Sequence, residues 1–186
     1  MSYAECHCHD CYSLLDAIPT PEEIIKKAKE YGYSAVAITN HGNMFSFINF
    51  YKAGLKYGIK TIMGMETYEA DDLTIEDDTR YHLILLARNN DGLKALYKLS
   101  SIAYLNGFYR KPRLDIKIIQ PYAKDLIISS ACMAGRIDRL LMDDKYTEAK
   151  EWVLKYKKVF PHFYLEMQHH NVETQSILNQ QIMALS

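Results

Sequence analysis

Residues 34–42 read SAVAITNHG: Ala35 to Ile38 are apolar without interruption, and Thr39, Asn40, His41 and Gly42 follow. Alternating polarity would mark a strand with one wet face. An unbroken apolar run instead marks a strand covered on both faces, as in sheets flanked by helices. Its polar C-terminal end then opens where β/α folds bind ligands. Upstream, TPEEIIKKAKEYGY (20–33) predicts a helix with Thr20 as N-cap, Pro21 at the first helical position and Gly32 as terminator. Ile24, Ile25 and Ala28 supply its apolar stripe. Downstream, NMFSFINFYKAGLKYG (43–58) predicts a second helix, KTIMGMETYEA (60–70) a strand and TRYHLILLARN (79–89) a buried strand around Leu83 to Leu86. The acidic excursion DDLTIEDD (71–78) separates those two strands. The alternation continues with a helix in 90–107, a strand in 125–135, a helix in 146–160, a strand in HFYLEMQHH (162–170) and a helix from Glu173 onward. YAECHCHD (3–10) adds a short first strand running into a loop. Strands alternating with helices over short polar connections predict parallel strands with crossover helices, in an open sheet or a barrel.

The 186 residues, 48% of them hydrophobic, suffice for one core, and no linker divides them, so residues 1–186 are expected to form a single domain. Lys plus Arg number 22 against 23 Asp plus Glu, which excludes a global basic field; any nucleic-acid contact has to be local. The N-terminus lacks a cationic segment followed by an apolar signal core, and no apolar run approaches the ~20 residues that span a bilayer, so a cytoplasmic location without membrane contact is expected. Cys6, Cys8, Cys11 and Cys132 are too unevenly spaced for a disulfide framework and are expected to be reduced.

Side chains two apart in a strand share a face, so His7 and His9 should point together while Cys6 and Cys8 point away, with Cys8 packed beneath. A thiol-based structural zinc site on Cys8, Cys11 and Cys132 lacks the usual second ligand pair. Asn40 and His41, Glu66 and Cys132 each end an apolar strand, whereas His82 begins one. Together with Asp16 on the loop YSLLDA, these residues form a mixed imidazole and carboxylate set of the kind that suits zinc, manganese or iron. A structural role competes for each taken singly: His82 could be a hydrogen-bonded core residue, and Asp16 could close a turn before Pro19. His162, His169 and His170 are expected mostly at the surface. Arg110, Lys111 and Arg113 in YRKPR match a phosphate in charge, and Tyr109 could stack on a base, although a solvated loop reads the same way.

The blocks HCHDCYSLLDA, AITNHGNMFSFINFYKAGLKYGIKTIMGMETY, HLILLARN, LSSIAYLNGFYRKPRLD and SACMAGRIDRLL, in this order, resemble the polymerase and histidinol phosphatase (PHP) domain of bacterial replicative polymerases. The resemblance implies a distorted seven-stranded β/α barrel holding up to three divalent ions, with His7, His9, Asp16, His41, Glu66, His82 and Cys132 as ligands. It further implies a metal-dependent 3′→5′ exonuclease serving proofreading, with a DNA 3′ end as substrate and the remainder of a polymerase alpha subunit, together with other replisome subunits, as partners. Two departures stand out: Asn40 replaces the aspartate of TDHG, a change beside the ligands that is expected to cost ~10–100-fold in affinity or activity, and the closing strand with its Asp-x-His motif is expected to be absent. Both favour a competing reading, an inactive module that braces a polymerase. A small-molecule phosphatase of the histidinol phosphatase type fits the ligands but not GFYRKPR.

Overall fold

A computed structural model describes residues 3–186. The chain forms β1 (Ala4–Glu5), α1 (Pro21–Glu30), β2 (Ala35–Ile38), α2 (Phe47–Tyr57), β3 (Lys60–Glu69), β4 (Tyr81–Ala87), α3 (Asn90–Leu105), β5 (Phe108–Tyr109), β6 (Lys111–Leu114), α4 (Ile116–Ile119), β7 (Leu126–Ser129), α5 (Arg136–Met142), α6 (Tyr146–Val159), β8 (Phe163–Tyr164) and α7 (Glu173–Leu185). The sheet runs β1-β2-β3-β4-β7-β8 and curls into a half-barrel, with β6 joining it on β3. Strand β5 pairs only with β6, as a short hairpin whose tip is Arg110. With β5 set aside, seven strands remain, as expected for a distorted, incomplete seven-stranded α/β barrel.

Helix α1 starts and stops where its residues dictate. The Thr20 hydroxyl accepts from the Glu23 N–H, the Glu23 carboxylate accepts from the Thr20 N–H, and Gly32 takes φ +72° beyond the last turn. Helix α2 begins four residues later than its apolar pattern predicts. The Asn43 side-chain Oδ1 accepts from the Phe45 N–H and holds residues 43–46 in a turn.

One of the expected strands departs from the parallel order. β1, β2 and β3 are parallel neighbours, but β4 runs antiparallel to both β3 and β7. The acidic excursion between β3 and β4 contains no crossover helix, so the chain returns in the opposite direction. It is anchored by Arg113, whose guanidinium donates to the carbonyls of Leu73, Ile75, Asp77 and Gly107. β1 is also shorter than expected: His7 to Asp10 lie beyond it as extended loop. There Cys8 remains tied to the end of β2, its carbonyl accepting from Thr39 N (2.8 Å) and its N–H donating to Thr39 Oγ1 (2.9 Å). β8 keeps only Phe163 and Tyr164 of the longer strand expected there.

β4 is buried on both faces. Leu83 and Leu85 join the large core beneath the helices, whereas Ile84 and Leu86 join Ala37 and Ala131 in a small separate cluster. Glu66 pairs with Ile84 across the ladder and Tyr68 with His82, so all four point to the same side of the sheet. The small cluster thus underlies the polar residues at the barrel mouth. A second buried anchor secures α5 and α6 to β3. Arg136 pairs with Glu69 (3.1 Å) and Asp71 (2.7 Å), its guanidinium is sandwiched between the Tyr81 and Trp152 rings, and the Tyr156 hydroxyl donates to Glu69.

Candidate metal centre

Glu66 lies within β3 rather than at its end, with no exposed surface, and four imidazoles surround its carboxylate. Oε1 is 3.2 Å from His7 Nε2 and 3.0 Å from His82 Nδ1; Oε2 is 2.5 Å from His41 Nδ1 and 3.7 Å from His9 Nε2. Asp16 Oδ2 stands 3.1 Å from His41 Nε2, and Cys132 Sγ 3.7 Å from Glu66 Oε1 and 3.6 Å from His82 Nδ1. All seven residues selected from the sequence come together here. His82 does so because β4 is antiparallel: the start of β4 lies beside the end of β3, opposite Tyr68. His41 arrives through a bridge to Glu66, and Gly42 beside it takes φ +61° where an added Cβ would strike Pro112 at 2.7 Å.

Three overlapping groups have donor atoms within 4.8 Å of one another: His7, His9 and Glu66; His9, Asp16 and His41; and His41, Glu66 and His82. Cys132 flanks them without belonging to any, and among the described residues no such group contains a cysteine. Cys8 packs against the core, as its place between two site histidines implies. The donors fit a cation. His41 Nδ1 and Glu66 Oε2, 2.5 Å apart, are both buried and oriented so that neither makes a hydrogen bond. Lone pairs converging in this way are what a divalent ion requires.

Buried and half-buried groups outside the donor set hold the imidazoles. His7 Nδ1 donates to Glu166 Oε1 (2.6 Å), a carboxylate that also accepts from Ser129 Oγ and Gln168 Nε2. His9 Nδ1 lies 3.1 Å from Ser13 Oγ, and the Ser13 hydroxyl is itself spent on Asn40 Oδ1 (2.8 Å). Ser13 Oγ can therefore only accept from His9, so the His9 proton sits on Nδ1 and the Nε2 lone pair is turned inward, 3.1 Å from His7 Nε2. Asn40 also accepts from Asp10 N and donates to Asp10 Oδ1 (2.7 Å) and Ser46 Oγ (3.0 Å). It is thus a hub behind the loop carrying His9 and His41. Burial would lower the basicity of His7, but the hydrogen bonds to Glu166 and Glu66 outweigh it and push its pKa to about 10. For His9 burial wins and the pKa falls to about 4. Glu66 is desolvated too, yet His41, His7 and His82 hold its carboxyl well below the usual range. Burial, with the Glu66 charge adding to it, pushes the Cys132 thiol up to about 12.

Glu166, Ser13 and Asp10 were not selected from the sequence. Glu166 stands in HFYLEMQHH, where strand periodicity gives no sign that residue 166 faces residue 7. His169 and His170, expected at the surface, are exposed and sit on the rim of the centre's cavity of about 670 Å³. The basic cluster divides. Arg110 and Lys111 line a second cavity beside the centre, with Arg110 paired to Asp78. Arg113 is buried against main-chain carbonyls and is not free for phosphate, a correction to its expected role. Tyr109 lies under the Arg110 and Arg113 guanidinium groups rather than in that cavity.

The family described as the PHP domain matches residues 5–170. The chain belongs to the PHP domain family. Among curated relatives, this PHP chain is 46% identical over 97% of its length to DNA polymerase III subunit alpha of Borreliella burgdorferi and 39% identical over 99% to that of Aquifex aeolicus. It spans only 16% and 17% of those relatives. Its fold is similar to that of a solved protein assigned as a metal-dependent phosphoesterase from Bifidobacterium adolescentis, with a TM-score of 0.59, 14% identity, and coverage of 99% of this chain and 84% of the other. Among the described residues no helix is long and apolar enough to cross a membrane.

Proposed function

We propose that this PHP domain is a metal-dependent phosphoesterase that acts on DNA 3′ ends as a proofreading exonuclease within a replicative polymerase. The observation that carries the reading is the buried Glu66 carboxylate ringed by four imidazoles, with unpaired donor atoms converging on one point. Structural ion pairs use each lone pair on a proton; this arrangement leaves some over.

His7, His9, Asp16, His41, Glu66, His82 and Cys132 would hold the ions, and the three overlapping donor groups agree with a site for up to three. Zinc and manganese fit the donor chemistry best, and iron also fits. Divalent ions bound there would supply Lewis acidity, activating water and neutralising phosphate charge. The chain's own residues set the conditions. Glu166 and Ser13 fix the His7 and His9 rings with Nε2 turned inward, and the small cluster of Ala37, Ile84, Leu86 and Ala131 keeps water from beneath the carboxylate. Arg110 and Lys111 stand beside the centre to attract the phosphates of a strand.

Metal analysis of the purified protein, followed by hydrolysis of a 3′-labelled oligonucleotide against a small phosphomonoester, tests the reading. Stoichiometric zinc, manganese or iron, preferential hydrolysis of the oligonucleotide, and loss of both metal and hydrolysis in Glu66→Gln are expected. Protein without transition metal that gains no hydrolytic activity on metal addition would overturn it in favour of an inactive bracing module. Preference for the monoester would favour the small-molecule phosphatase.

A further inference from the structure

The second cavity, also about 670 Å³, shares Asp16, His41 and His82 with the metal centre, so whatever occupies it ends at the ligands. That volume falls in the ~300–1,000 Å³ range of ligand pockets. We propose that this cavity receives the unpaired end of a DNA strand, with Tyr104 and Phe108 as a base-stacking ledge and Arg80 and Lys111 as phosphate partners. The inference rests on the phosphoesterase reading and deepens it, since it specifies a frayed end rather than a paired one.

Three observations point the same way. First, the aromatic faces are bare: Phe45, Tyr104 and Phe108 are 66%, 40% and 57% exposed. The Tyr104 and Phe108 rings lie 6.2 Å apart with planes within 25° of each other, and Phe45 stands 6.4 Å from Tyr104. Flat rings presented to solvent in this way accept any base, but only a base that has left its own stack. Second, cations lie between the ledge and the metal centre. Lys111 Nζ and the Arg80 guanidinium sit 5.6 and 6.0 Å from the Tyr68 ring, which itself stacks on His41. Tyr68 is therefore a floor leading from the cations to the ligands. Third, the local charge balance is positive although that of the chain is not: Asp78 is covered by both Arg80 and Arg110, which leaves a surplus of positive charge along the cavity. A polyanion with stackable bases complements such a wall; an apolar protein segment would leave the cations unpaired.

Fluorescence anisotropy of a short 5′-labelled oligothymidylate, titrated with EDTA-treated protein at low salt, reads the groove without any hydrolysis. Wild-type protein should bind the single strand more tightly than a blunt hairpin of equal charge. Phe108→Ala and Tyr104→Ala should each weaken binding by ~5-fold or more. Lys111→Gln should lower the slope of log K against log salt by about 0.7. All three side chains are exposed, and an unchanged thermal midpoint verifies that each variant folds. Equal affinity in the aromatic variants, equal binding of the hairpin, or no oligonucleotide binding by wild type would each overturn the proposal; in the last case a protein segment becomes the occupant of this face. Binding with the expected losses but no metal-dependent hydrolysis of any phosphoester supports the groove while overturning the phosphoesterase reading.

Discussion

Asn40 donates to Asp10 Oδ1 at 2.7 Å, and both side chains are fully buried. Replacing that amide nitrogen by oxygen would set two carboxylates against each other away from water, where only one can ionise readily. The aspartate that the family resemblance expects at position 40 is therefore incompatible with Asp10 as it stands. Asn40→Asp alone should destabilise the fold by roughly 1–3 kcal/mol or more, and adding Asp10→Asn should recover most of it. Urea denaturation of the single and double variants checks this, and equal stability of wild type and Asn40→Asp would refute it. At this scale the sequence revealed the donors but not their supports. His7 and His9 were legible because a spacing of two turns both rings the same way, and His41 and Glu66 because each follows an apolar run. Glu166 was not, because its partner lies 159 residues away in sequence. Arg113 misled for a related reason: a basic cluster looks the same whether its guanidinium meets solvent or main-chain carbonyls.

Among the elements, the entry to α5 carries strain-sensitive contacts that bear directly on the centre. His82 N donates to Ala134 O, Gly135 N donates to Cys132 O, and a Cβ on Gly135 would lie 2.1 Å from Ser130 O. That neighbour is backbone and cannot rotate away. Gly135→Ala should therefore cost roughly 1–3 kcal/mol, whereas Gly32→Ala, with nothing within 4 Å, should cost only the ~1–2 kcal/mol of a left-handed residue. In metal titrations only the first should also weaken loading, since it displaces His82 and Cys132. Asp138 in the first turn of α5 is 1% exposed, with a buried Oδ1 that has no partner, and burial, with the Glu166 charge adding to it, raises its pKa from 3.8 to about 7. The native state therefore holds this proton more tightly than the unfolded chain. Its contribution is complete below pH 3.8 and is lost as pH rises to about 7. Asp138→Asn should raise stability by on the order of a few kcal/mol at pH 8 and little at pH 4; pH-independent gain would refute the assignment. Most helices and strands could be placed from apolar spacing, but the reversed direction of β4 could not. Periodicity fixes which faces are buried and says nothing about which way a strand runs.

For the whole molecule, the centre is where separate parts of the sheet meet. His7 follows β1, His41 follows β2, Glu66 is within β3, His82 begins β4, and Cys132 follows β7. β1 and β8 are the two ends of the strand order, and their extensions touch through His7 and Glu166. Cations bound in the three overlapping donor groups would together tie the segments after β1 and β2 to β3 and β4, while the unfolded chain offers them no assembled site. Binding then adds to folding stability as RT ln(1 + [L]/Kd), about 2.7 kcal/mol at a hundredfold excess over Kd. For a chain of this size each 1 kcal/mol moves the midpoint by about 2–4 °C, so removing metal with a chelator should lower Tm by ~5–11 °C. Glu66→Gln should lie near the chelated value and show no response to chelator or to added metal, because the carboxylate common to two of the three donor groups is lost. A wild-type protein whose Tm ignores chelator and added zinc or manganese alike would mean that these imidazoles and carboxylates serve the fold as hydrogen-bond partners. In that case Glu66→Gln would itself be strongly destabilising, because His7, His41 and His82 lose the buried negative charge they share.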